Sequence, residues 1–119
     1  MRKSVIQDTV RKGMLFLLAV LLISFPLHAY DKKQYARAIR FKICIKCDLY
    51  KANFSGLDLS DADFSGSNLI LATFQKATLL RVRFDGANLT GANFIGAMWI
   101  NGKICQDNSY GGCIFLPDQ

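Results

Sequence analysis

From Leu49 onward a large apolar residue falls on every fifth position: Leu49, Phe54, Leu59, Phe64, Leu69, Phe74, Leu79, Phe84, Leu89 and Phe94. Two places before most of these anchors stands a small residue, as at Ala52, Ala62, Ser67, Ala72, Ala77, Ala87 and Ala92. Directly before the anchor comes a mostly short polar one, at Asp48, Asn53, Asp58, Asp63, Asn68, Thr73, Thr78, Asn88 and Asn93, with Arg83 the longer member. Glycine recurs at the last place of the unit, at 56, 66, 86, 91 and 96. A period of five fits neither a helix face nor an alternating strand, so the pattern predicts a repeat architecture. An inward residue at every fifth position requires a coil that turns a corner every five residues. The small residue lets backbones approach near the corner, Asn, Asp and Thr bond neighbouring backbone groups, and glycine accepts the dihedrals a turn demands.

The run from Ala52-Asn53-Phe54-Ser55-Gly56 to Ala92-Asn93-Phe94-Ile95-Gly96 resembles the pentapeptide-repeat proteins, over ten units from Cys47 to Gly96. The resemblance implies an all-β fold, a right-handed quadrilateral β-helix in which four units make a square coil of 20 residues. Folded at that implied period, the sequence stacks like on like. Leu49, Leu69 and Leu89 share one side, Phe54, Phe74 and Phe94 the next, Leu59, Leu79 and Trp99 the third, and Cys44, Phe64, Phe84 and Ile104 the fourth. Rings on two opposite sides with leucines between them fill the axis without overpacking it. The ladder from Leu49 to Trp99 is therefore expected to be core and not a ligand groove, in about three coils spanning 44–104.

Upstream, Arg2, Lys3, Arg11 and Lys12 precede an apolar run from Met14 to Phe25, then Pro26, Leu27, His28 and Ala29. This is the order of a secretory signal peptide over 1–29 with a signal helix, and the run falls short of the ~20 residues of a membrane span. Cleavage after Ala29 leaves 90 of the 119 residues, a periplasmic or extracellular location, and no stable membrane span. Half of the chain's net charge of +6 leaves with the leader, since four of its 15 bases and one of its nine acids lie there. His28, the single histidine, leaves as well, and the sequence contains no glutamate. A domain without imidazole lacks the commonest general base and metal ligand, which points away from an enzyme and from a cofactor.

The four cysteines fall in two groups, Cys44 with Cys47 and Cys105 with Cys113. In an exported protein an even count reads as disulfides. With the groups about three coils apart, beyond the ~7 Å reach of one bridge, each pairs within itself. A four-cysteine zinc site is disfavoured by the same separation. The spacing of Cys44-Ile45-Lys46-Cys47 also matches thiol oxidoreductases, though no thioredoxin-like pattern surrounds it. Residues 105–119 resemble the cysteine-bearing cap of small exported pentapeptide-repeat proteins, which implies a structural cap.

Residues 30–43 form a basic lead-in with Lys32, Lys33, Arg37, Arg40 and Lys42. It reads as a solvated cap of one or two helical turns, with Tyr35, Ile39 and Phe41 covering the first coil; the other reading is an arm that docks on anionic lipid or a polyanionic surface. Asp58, Asp61 and Asp63 lack the remaining ligands of a calcium loop and serve the repeat instead. A spacing of 20 sets Asp61 under Arg81, and Asp63 under Arg83 with Lys103 above. On the third side Leu80, Met98 and Ile100 take outward positions. They form either an exposed contact patch or a surface covered by the tail at Phe115 and Leu116. The family's DNA-mimicking members imply an acidic surface, which this chain lacks, so nucleic-acid mimicry and nucleic-acid binding are not expected. The sequence thus predicts a non-enzymatic, extracytoplasmic structural or protein-interaction module. Its partner is a protein or envelope macromolecule, a second copy of the chain included; the alternative is an envelope thiol–disulfide redox protein using Cys44 and Cys47.

Overall fold

A computed structural model of the chain describes residues 30–117, so the signal segment lies outside the described residues. Parallel backbone bridges link residues 20 apart on four sides. Asp48, Asn68 and Asn88 form one ladder, Asn53, Thr73 and Asn93 the next, Asp58, Thr78 and Met98 the third, and Ile43, Asp63 and Arg83 the fourth. Each side contributes a single bridged residue, not an extended strand, because the backbone turns left-handed once per unit. At positions 46, 51, 56, 61, 66, 71, 76, 81, 86, 91 and 96 φ is positive, whether the residue is Gly96 (71°), Lys46 (54°), Asp61 (64°) or Leu71 (57°). The corner is thus a property of the coil, and space adds a demand for glycine only at some corners: a Cβ on Gly91 would stand 2.7 Å from Cδ2 of Leu71, whereas one on Gly56 would meet nothing within 4 Å.

The short polar residues secure these corners. The side-chain oxygens of Asp48, Asn53, Asp58, Asp63, Asn68, Asn88 and Asn93 each accept from the backbone N–H two residues on. Inside, Phe54, Phe64, Phe74, Phe94, Leu49, Leu59, Leu69 and Leu79 are buried at 0–1% exposure, while Phe84, Leu89 and Trp99 are half-buried at the end of the stack. On the second side rings succeed one another at 5.1, 5.0 and 5.1 Å from Tyr35 through Phe54 and Phe74 to Phe94. Rings of the fourth side meet them edge-on, as Phe64 meets Phe54 at 5.5 Å. Ile104 does not continue the fourth side; it is 46% exposed. Trp99 takes that place, its indole stacked on Phe84 at 5.8 Å and edge-on to Phe94 at 4.9 Å.

The reason is a reversal of the chain. After Met98 the backbone turns through Asn101 and Gly102, the latter at φ 82°. It then runs back antiparallel along the last coil, bridging Ile104 to Met98 and Tyr110 to Asn93. The parallel coils therefore end near residue 98 and not at 104. The return strand supplies partners to the open edge: Phe94 and Gly96 donate to the carbonyls of Ser109 and Cys105, and Gly111 donates to that of Ala92. The Cys105–Cys113 disulfide closes the strand into a cap.

The opposite end is covered by α1, Lys32–Phe41. Asp31 starts it by accepting from Lys33 and Gln34 N–H groups, and Lys42, left-handed at φ 56°, ends it. At ten residues it is longer than one or two turns, and the residues that seal the coil differ from those expected. Tyr35 and Ala38 face the core, with the Tyr30 ring tilted against that of Tyr35 at 4.5 Å. Ile39 and Phe41 remain 38% and 61% exposed. The helix leaves them outside because Tyr35 and Ala38, three residues apart, already define its inward stripe.

Candidate functional site

The two cysteine pairs are bridged as the spacing predicts, with Cα atoms 5.5 Å apart for Cys44–Cys47 and 5.1 Å for Cys105–Cys113. Cys44 is fully buried, its sulfur 3.3 Å from the Gln34 carbonyl of α1, and Cys47 is 6% exposed. Both cysteines are buried, which is unlike the partly open setting of reactive cysteines. Ser67 holds the bridge's backbone from above. Its buried hydroxyl donates to the Cys44 carbonyl at 2.6 Å and accepts from the Cys47 N–H at 3.0 Å. Ser67 occupies the small-residue place that alanine fills in most other units. Ser67→Ala, a change toward the repeat's own pattern, is expected to cost about 1–3 kcal/mol because two buried backbone groups lose their partner. Urea unfolding checks this; wild-type stability in the variant would show the hydroxyl to be dispensable.

The charged surface follows the stacking. Arg81 reaches both oxygens of Asp61 at 2.6 and 2.8 Å, while Arg83 lies 3.9 Å from Asp63 and 3.3 Å from Asp85. The Arg81 guanidinium holds the Asp61 carboxyl below its ordinary value and is itself raised in return. The Ser60 and Ser65 hydrogen bonds lower Asp58 and Asp63 in the same direction. These carboxylates are committed to corners and to the ladder. Lys103 departs from the expected column: it lies in the reversal, with its ammonium 5.7 Å from the centre of the Phe115 ring.

The expected contact patch is only partly exposed. Leu80 and Met98 are half-buried, and Leu80 lies beneath the reversal, 3.8 Å from where a Cβ on Gly102 would stand. Ile100 alone of the three is exposed, at 41%. Phe115 and Leu116 lie beside Lys103, Ile104 and Gln106, where they line a shallow recess. The side chains that open to solvent instead gather at the two ends. Ile39, Phe41, Ile43 and Ile45 lie at the first, and Ile100, Ile104, Tyr110, Ile114 and Leu116 at the second. Leu71 is the one large exposed apolar residue between them among the described residues. The return strand and its apolar rim were missed in the sequence, although Asn101-Gly102 between apolar residues is a hairpin signal.

Comparison with known proteins agrees with this geometry. The pentapeptide-repeat family model matches in eight copies, over residues 47–79 and 67–98. Among solved structures the chain is similar to the crystal structure of HetL, "a Pentapeptide Repeat Protein involved in Heterocyst Differentiation Regulation" from the cyanobacterium Nostoc sp. strain PCC 7120. The match has 30% identity and a TM-score of 0.41 and covers 52% of this chain and 34% of HetL, so the chain spans about a third of that protein's length. No curated protein matches the chain. The five-residue register, the bridges 20 residues apart and the family match make this chain, across residues 47–98, a member of the pentapeptide-repeat family.

Proposed function

We propose that the chain is an exported, non-enzymatic interaction module that acts in the periplasm or outside the cell and meets a protein partner at its C-terminal end. The observation that carries this reading is the distribution of apolar surface. The interior is filled by stacked side chains, and five of the ten large exposed hydrophobics among the described residues lie on the second cap, from Ile100 to Leu116. Clustered apolar surface of this kind marks contact sites on soluble proteins. Leu80 and Met98 support the patch from below, and Ile100 forms its edge. The redox alternative is less favoured because Cys44 is sealed beneath α1.

The test is cross-linking in intact cells that produce the full chain. The wild type should give a discrete adduct, which Ile100→Ser/Ile104→Ser removes while thermal stability stays within a few degrees. Intact mass should place the mature terminus at Tyr30, and alkylation without denaturant should label no cysteine. An adduct that survives both substitutions would overturn the assigned surface, and ready labelling of Cys44 or Cys47 would favour the redox alternative.

A further inference from the structure

The first cap carries a second surface, distinct from the C-terminal one and independent of its partner. Residues 30–51 hold seven bases, Lys32, Lys33, Arg37, Arg40, Lys42, Lys46 and Lys51, against Asp31 and Asp48. Residues 52–117 hold four bases and five acids, so the first 22 described residues carry +5 and the next 66 carry −1. The three ion pairs among the described residues all involve Arg81 or Arg83, so none includes a base of the cationic end, of which Lys42 acts at longer range on Asp58 and Asp61. Lys42 alone is turned inward, its ammonium 3.2 Å from the Ser60 carbonyl. On α1, Lys33, Arg37 and Arg40 recur at i, i+4 and i+7, a single stripe turned away from buried Ala38.

This positive end is also apolar. In the segment Ile39-Arg40-Phe41-Lys42-Ile43-Cys44-Ile45-Lys46 the two characters alternate. Phe41 is 61% exposed, Ile43 49% and Ile45 54%. Ile43 and Ile45 flank inward-pointing Cys44, so both face out from the fourth side. Arg40 lies over the Phe41 ring at 5.3 Å, keeping charge beside the apolar tip. Three neighbouring apolar side chains held in water beside unpaired cations call for an occupant with both characters.

We infer that α1 and the following residues through Lys46 form a peripheral docking surface for an anionic lipid bilayer, with Phe41, Ile43 and Ile45 entering the interface and Lys33, Arg37, Arg40 and Lys46 meeting headgroup charge. A soluble polyanion would neutralise the bases but leave the apolar residues in water, whereas an anionic membrane surface takes up both. No helix among the described residues is long and apolar enough to cross a membrane, so the contact they make is superficial. The rod would then stand with its first cap on the bilayer and its second cap turned away.

The experiment is vesicle co-sedimentation of the chain as purified from producing cells, its processing state fixed by intact mass. Vesicles hold phosphatidylcholine alone or with about a third phosphatidylglycerol. The anionic vesicles should bind at least tenfold more tightly, with retention lost as salt rises. Arg37→Gln/Arg40→Gln/Lys46→Gln should weaken binding by about a hundredfold, at roughly fivefold for each base near the surface. Phe41→Ser/Ile43→Ser/Ile45→Ser should weaken it at least tenfold, with circular dichroism and melting unchanged. Ile104→Ser/Leu116→Ser at the far end should bind as wild type does. Equal binding to neutral and anionic vesicles, or wild-type binding by the apolar triple variant, overturns the inference. Capture by heparin beads with no vesicle binding overturns it as well, in favour of a soluble polyanion. None of these results bears on the C-terminal contact, which is tested by its own adduct.

Discussion

Phe74→Ala is expected to remove about 3–5 kcal/mol of stability, a large part of the ~5–15 kcal/mol that a small domain possesses. Phe74 is fully buried in the middle of the rod, stacked 5.0 Å from Phe54 and 5.1 Å from Phe94. It also receives the edges of Phe64 and Phe84 at 6.3 and 5.9 Å. Truncation there opens a void on the axis between the Phe54 and Phe94 rings. The coil cannot collapse into it, because backbone bridges on the same side, Asn53 to Thr73 to Asn93, hold the layers at their spacing. Phe84→Ala serves as the comparison. Phe84 is half-buried, so its removal returns less apolar surface to water and should cost less. Urea unfolding followed by circular dichroism and by fluorescence of the single tryptophan, Trp99, measures both losses. A loss at Phe84 equal to or larger than that at Phe74 would contradict a core centred on the second-side stack.

The body of this rod was legible in the sequence because its constraint repeats. Each anchor meets the same neighbours 20 residues away, so side-chain type recurs with backbone geometry, and Leu49, Phe54, Leu59 and Phe64 announce Leu69, Phe74, Leu79 and Phe84 one coil on. Even the two disulfides follow from that frame, since the rod separates the pairs. The ends were harder to read because each is built from contacts made once. Ile104 falls on an anchor position and is apolar, yet the Asn101-Gly102 turn reverses the chain before it, and Trp99 fills the vacated layer. Leu80 falls on an outward position, yet the same turn shelters it. At the other end Phe41 has the composition of a covering residue, but the helical stripe set by Tyr35 and Ala38 leaves it in solvent. Periodicity fixes where a residue sits in the coil and says nothing of which single segment closes the coil. The apolar rims, and with them the candidate contact surfaces, belong to those segments.

Removing the return strand by ending the chain after Gly102 is expected to make the protein associate edge to edge. The last coil presents Phe94, Gly96 and Trp99 N–H groups and the Ala92 and Ala97 carbonyls, all paired with residues 103–111 in the intact chain. Without those partners they form a flat, regular edge spaced to accept another backbone, and beneath it Phe94, Ala97 and Trp99 lose their cover. Repeat rods require a capped end for this reason, and uncapped edges template pairing. The disulfide separates covalent closure from the strand itself. Cys105→Ser/Cys113→Ser keeps every backbone partner and loses a loop closure worth about 2.5 kcal/mol for a nine-residue ring. That loss corresponds to a melting point lower by about 10–20 °C in a domain of this size. Light scattering after size exclusion should therefore find the double serine variant monomeric but less stable, and the truncated chain in large or heterogeneous assemblies. A truncated chain that stays monomeric would show that the open edge is guarded by something other than the antiparallel strand. A double serine variant that assembles as the truncated chain does would show that the strand holds its place only when covalently closed.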